Sequence, residues 1–169
     1  MTWLVSACIA FAALALQATL VPHVRIAGIS PDLPLIATVL LAYRRGPTGG
    51  TLAGFAIGLG QDLTNPAFLG LNALVKSLVG FGAGSGRDAL DVSNAPLAAA
   101  VLATAKLVHD LAYLLVFTHL SLSEVFAGLF AHSVPAAVYT VVVGTWILAL
   151  LGSGRRRESA LARPGYARR

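Results

Sequence analysis

Charge is scarce in this chain of 169 residues: Asp, Glu, Lys and Arg make up 11%, against 57% hydrophobic residues, and the mean hydropathy is +0.79. A soluble domain of this length has too little interior to hide so much apolar surface, whereas lipid accepts it. The composition therefore excludes an ordinary soluble fold and points to an all-α integral membrane protein, a single bundle without a separate soluble domain. Cysteine is almost absent too. The single Cys8 excludes an intramolecular disulfide and offers no metal cluster. No basic segment precedes the first apolar run, so that run reads as a retained span rather than a signal peptide, with Trp3 as an interfacial anchor.

Reactive patterns are missing as well. His23, His119 and His132 have no metal-ligand spacing, and the serines lack an assembled base and acid. The run Gly80-x-Gly82-x-Gly84-x-Gly86 reads as a small-residue face, not a phosphate loop. The formal net charge is +5, but the bases sit beside apolar runs instead of alternating with aromatics, which argues against nucleic acid. Neither an enzyme nor a bound cofactor or metal is expected.

What is present is a series of apolar runs, each to be compared with the ~20 residues a membrane helix needs. The first covers residues 2–21. A run at 32–43 is short, with Asp32 in its first turn, where the helix dipole favours an acid. Arg44-Arg45-Gly46-Pro47 ends it, and Pro47 suits the first turn of the next helix, 48–63. Further helices are expected at 71–85, from Asn94-Pro96 to about 118, and at 133–151. Residues 120–132 read as an amphipathic segment that lies at the interface or lengthens a neighbouring helix. Residues 152–169 read as a basic, disordered tail. About six spans place Arg44 and Arg45, Arg87, and Arg155, Arg156 and Arg157 on one side, leaving Arg25 opposite. That asymmetry puts both termini in the cytoplasm, with the Arg155–Arg157 cluster also able to touch anionic lipid.

Four charges fall inside these runs: Asp62, Lys76, Lys106 and Asp110. Each costs ~2.5–3.5 kcal/mol to insert into hydrocarbon, so they are expected to pair in the protein interior or face a watery cavity. Gly50, Gly54 and Gly58 recur every four residues, with Asp62 next in the series, on one helix face. Small residues so spaced let another helix approach closely. Simple packing explains the glycines, and the ridge carries Asp62 to a neighbour. Lys76 has Asn72 one turn away on its face. A short connector makes their helix antiparallel to the Asp62 helix, so an Asp62–Lys76 pair is expected, with the lysine stem free to snorkel outward. Lys106, His109, Asp110 and Tyr113 share a second face at i, i+3, i+4, i+7. Lys106 and Asp110 can pair locally, and His109 is left as a hydrogen-bonding or proton-carrying group. A register-fixing network is the plainer reading of both sets, since a proton relay needs a continuous polar path.

One ordered set of motifs goes further. Pro31-Asp32-Leu33-Pro34, Tyr43-Arg44-Arg45-Gly46-Pro47, Gly54-Phe55-x-x-Gly58-Leu59-x-Gln61-Asp62-Leu63, Leu69-Gly70-Leu71-Asn72-Ala73-Leu74-x-Lys76 and Gly80-Phe81-x-Ala83-Gly84 follow one another over residues 31–84. The set resembles the rod shape-determining protein MreD family. Asp62 and Asn72 match family-typical positions, Lys76 matches some members, and the Lys106–His109–Asp110 stripe maps onto no family motif.

The resemblance implies a non-enzymatic scaffold subunit of the bacterial cell-elongation (rod) complex in the inner membrane. Expected partners are MreC directly, and MreB, a RodA-type glycan polymerase and its transpeptidase as complex members, with membrane lipids around the bundle. It also implies a fold similar to the substrate-binding subunits of energy-coupling-factor transporters. The expected organisation is a bundle of about six transmembrane helices over residues 1–151 and a cytoplasmic tail over 152–169. A solute-binding subunit of a vitamin-type transporter is the alternative. It requires a ligand-sized cavity with polar groups left facing it.

Overall fold

The computed structural model describes residues 3–26, 28–64, 69–87, 95–117 and 126–161, with side chains as far as Ile147 in the last stretch. The α-helices among the described residues are α1 (Trp3–Thr19), α2 (Leu33–Asp62), α3 (Leu71–Ser85), α4 (Ala95–Phe117) and α5 (Val134–Leu161). No strand occurs among the described residues. Residues 65–68, 88–94 and 118–125 lie outside the described residues, the last including His119 and the start of the expected interfacial segment, as does 162–169.

α2 is two limbs joined at one glycine. Gly46 has φ 77° and ψ −172°, a conformation open to glycine and costly for any residue with a Cβ. Pro47 then starts the second limb with its φ already set and no N–H to satisfy. The limbs fold back on each other, so that Gly50 lies against Ala42. The Arg87 guanidinium covers Gly46 where a side chain would otherwise project.

The first limb is the centre of the molecule. Every residue from Pro34 to Ala42 is buried, which explains how so short a segment can be apolar all round. Leu35, Ile36, Val39 and Leu40 pack with Val79 of α3 and Ala98, Leu102 and Ala105 of α4, backed by Val141 and Ile147 of α5. Ala37 and Leu41 join Ala13 of α1 and Ile57 of the second limb in a separate cluster.

The second limb and α3 run antiparallel with their backbones in contact. A Cβ on Gly54 would strike the Lys76 carbonyl, one on Gly58 the Asn72 carbonyl, and one on Gly50 the Gly80 carbonyl. From the other side, Gly80 faces Gly50 and Gly84 faces Gly46 and Pro47. Gly82 meets nothing within 4 Å. The expected single glycine face of α3 is thus corrected: a helix turns ~200° in two residues, so only the four-residue pair shares the α2 side.

Two stretches are long and apolar enough to cross a membrane, Pro96–Val116 and Phe126–Ile147, while Trp3–Thr19 is apolar but shorter. Only 22% and 17% of the two long windows is buried, unlike the core helix of a soluble protein. Large apolar side chains such as Phe11, Phe55, Phe81, Leu115 and Trp146 stand exposed around the outside.

Residues 129–133 form a π-helical turn leading into α5, so this part of the expected interfacial segment lengthens its neighbour. At the other end α5 continues to Leu161. The expected break at 151 does not occur: Arg155–Arg157 stand on helix, and the sequence offers no proline before Pro164 to stop it.

Candidate functional site

The bundle has a polar cluster at the end where α2 and α3 begin. The first of its elements is the start of α2, where the orphan N–H groups of a helix need acceptors. Asp32 is the N-cap, its Oδ1 accepting from Leu35 N at 2.9 Å. Leu33 N donates to Gln17 Oε1 at 2.9 Å, Pro34 has no N–H, and Asp32 N donates to Thr140 Oγ1 at 3.2 Å. One helix start thereby ties α1 and α5 to α2. The preceding link is pinned as well. Ile26 and Ile29 exchange backbone hydrogen bonds around Gly28, and Tyr139 Oη donates to Val24 O at 3.0 Å.

Asp62 performs the matching service for α3. Its carboxylate accepts from Gly70 N (2.9 Å), Asn72 N (3.2 Å), Ala73 N (3.0 Å) and Asn72 Nδ2 (3.0 Å). Asp62 is fully buried, and the positive end of the α3 dipole compensates its charge. The acid at the end of one helix thus caps the start of the next, and four donors saturate it.

Lys76 is therefore not the partner of Asp62. Its ammonium meets Asp32 Oδ2 at 3.4 Å, Asn72 Oδ1 at 3.3 Å and His109 Nε2 at 3.0 Å. Three protons and three acceptors match. The side chain is fully buried and does not snorkel outward, because all three of its acceptors lie inside the bundle, at the start of α2, on α3 and on α4. His109 Nε2 lies 3.0 Å from the Lys76 ammonium and 3.1 Å from Asn72 Oδ1, and Nδ1 lies 3.2 Å from Asp110 Oδ1, so the ring bridges Lys76 and Asn72 to Asp110.

On α4, Lys106 and Asp110 form the expected i, i+4 pair. Tyr113 Oη accepts from Asn72 Nδ2 at 2.5 Å, and its ring lies 5.1 Å from that of His109. The structure brings Asp62, Asn72, Lys76, Lys106, His109 and Asp110 into one connected network and adds Asp32, Tyr113, Gln17 and Thr140. The first two carried a signal in the sequence, an acid before a helix and a member of the α4 stripe. Gln17 and Thr140 carried none.

The opposite end is simpler. Arg45 Nε donates to Ser6 Oγ at 2.7 Å, and its guanidinium lies 3.8 Å over the Trp3 ring. Arg87 joins it there beside Gly46, and Arg44 makes contacts of its own. The side chains of Arg155, Arg156 and Arg157 lie outside the described ones. Cys8 is exposed. No set of His, Cys, Asp and Glu among the described residues could hold a metal ion.

A cavity of about 480 Å³ opens beside the network, between α4, the turn before α5 and the 28–30 link. Lys106, His109, Asp110 and Tyr113 form its α4 wall. An apolar groove of about 450 Å³ runs between α3 and α4, past Leu78, Gly82 and Val101.

These features define a helical membrane protein in which polar side chains fasten helices together. Residues 1–152 match the family of the rod shape-determining protein MreD. That match covers nearly the whole chain, and the chain belongs to this family, whose members are membrane proteins of rod-shape determination. No curated relative and no solved structure matches it.

Proposed function

We propose that this chain is a scaffold subunit of the bacterial cell-elongation complex, binding MreC and helping to position peptidoglycan synthesis without turnover of its own. Membership of the family supplies the setting in rod-shape determination. The observation that carries the mechanism is the connected network in which Lys76 bonds Asp32, Asn72 and His109 while Asp62 caps α3. Each buried charge has its partner, so the helices are fixed in register and the outer surface is presented as one rigid shape.

In this reading the two limbs of α2 count as separate spans, giving six, with the Arg44, Arg45 and Arg87 end and both termini in the cytoplasm. The bundle ends near residue 151, and the remainder of α5 with the basic tail lies at the cytoplasmic surface. MreB, the RodA-type polymerase and its transpeptidase are then fellow members of the assembly, reached through MreC or from the cytoplasmic side. A pull-down of the tagged chain from native membranes tests the reading. Recovery of MreC supports it, and recovery of a transport ATPase without MreC overturns it.

A further inference from the structure

The cavity leaves one edge of the network accessible. The Lys106–Asp110 pair forms part of its wall, with 11% and 15% of the two side chains still exposed. Ser30 and Ser133 lie across from it, and neither hydroxyl bonds to another described residue. Ser133 is nevertheless 95% buried, at 5% exposure. Among the described residues Gln61 Oε1 alone is a dry side-chain polar atom without a partner, so the Ser133 hydroxyl is open to the cavity that it lines and can bond to a ligand there.

The charge pattern limits what that is. Lys106 and Asp110 already neutralise each other, so a simple anion would be pressed against the Asp110 carboxylate and a simple cation against Lys106. Burying net charge is costly, whereas a ligand with both signs replaces one internal contact by two complementary ones. A phosphate suits Lys106 and the two hydroxyls. A primary ammonium suits Asp110, which needs a hydrogen-bond donor that a quaternary ammonium lacks. The cavity wall itself is partly apolar, with Ile29, Leu114 and Ala136 in it, and the α4 helix that forms one side is apolar enough to cross a membrane. A ligand whose headgroup sits beside a membrane-crossing helix can leave its acyl chains in the surrounding lipid.

We propose that this cavity binds the headgroup of a zwitterionic phospholipid carrying a primary ammonium, with phosphate toward Lys106, Ser30 and Ser133 and ammonium toward Asp110. The inference goes beyond the scaffold reading and does not depend on MreC. It makes the protein a reader of the lipid around the bundle.

The test is native mass spectrometry of the purified full chain, loaded in turn with phosphatidylethanolamine, phosphatidylcholine and phosphatidylglycerol. Charge-assisted hydrogen bonds in a partly dry site predict retention of phosphatidylethanolamine about tenfold above the other two. Equal retention overturns the proposal. The charge-balanced double variant Lys106→Met/Asp110→Leu should lose the preference, and its persistence overturns the site. Should that variant fail to fold, Ser30→Ala/Ser133→Ala takes its place, with reduced preference expected and an unchanged one overturning. Glycerophosphoethanolamine at the lipid's concentration should not displace it. Displacement would overturn the lipid as the ligand in favour of a free zwitterion.

Discussion

Lys76 of α3 reaches the carboxylate of Asp32, 3.4 Å away and 44 positions earlier in the chain. The bond joins the start of α2 to the middle of α3, and through Asn72 and His109 the same ammonium engages α4 as well. Removing one member of such a pair leaves the other charge buried without compensation, a loss of about 3–5 kcal/mol. Lys76→Met should therefore lower the thermal midpoint in detergent sharply. Asp32→Asn should cost less, since the amide oxygen can still cap α2. In the double variant the two losses should fall short of their sum, as a double-mutant cycle on thermal unfolding would show.

Asp62 serves a different purpose, and its variants should grade by acceptor count. Asp62→Asn keeps one oxygen for the α3 N–H groups, while Asp62→Ala leaves Gly70, Asn72 and Ala73 without theirs. Loss of an ordinary cap costs about 0.5–2 kcal/mol, and full burial puts this site at the upper end. Hydrogen exchange at the start of α3 should rise in the order wild type, Asn, Ala. Equal exchange in all three would show that the cap is unimportant.

The glycine interface gives a test with its own control. Gly54→Ala and Gly58→Ala place a methyl group against α3 backbone, where nothing flexible can yield, and overpacking of this kind costs about 1–3 kcal/mol. Gly82→Ala, with open space around it, should be neutral or slightly stabilising, because alanine favours helix over glycine by about 1 kcal/mol. Thermal unfolding of the three proteins side by side should separate the ridge from the open face.

Gly46 combines both difficulties. A side chain there would suffer from φ 77° and would also displace the Arg87 guanidinium. Gly46→Ala should destabilise more than Gly82→Ala stabilises, and should raise protease sensitivity at the turn between the limbs of α2. Unchanged cleavage would mean that the turn has another way to close.

Much of this was legible in residue spacing. The four-residue glycine series on α2 and the Lys106–Asp110 pair follow from helix periodicity alone, and the burial of intramembrane charge follows from its insertion cost. Partners across the fold did not follow. Asp62 and Lys76 looked like neighbours because a short connector joins their helices. Gly70, just before α3, and Asn72 and Ala73 in its first turn supply the backbone donors that Asp62 takes, which frees Lys76 for Asp32. Gln17 and Thr140 are ordinary polar residues in apolar helices, and only the arrangement of α1 and α5 around the start of α2 gives them a task. The extension of α5 beyond 151 was hidden by its charge, since arginine is a good helix former and polar composition alone does not end a helix.

The central claim is that the buried network shapes a surface MreC recognises, and it is tested most directly by the amount of MreC recovered per molecule of membrane-inserted Lys76→Met protein. Recovery well below that of wild type, with rod-shaped cells becoming round, is the predicted result. Wild-type recovery and normal rods, despite a lowered thermal midpoint, would contradict it.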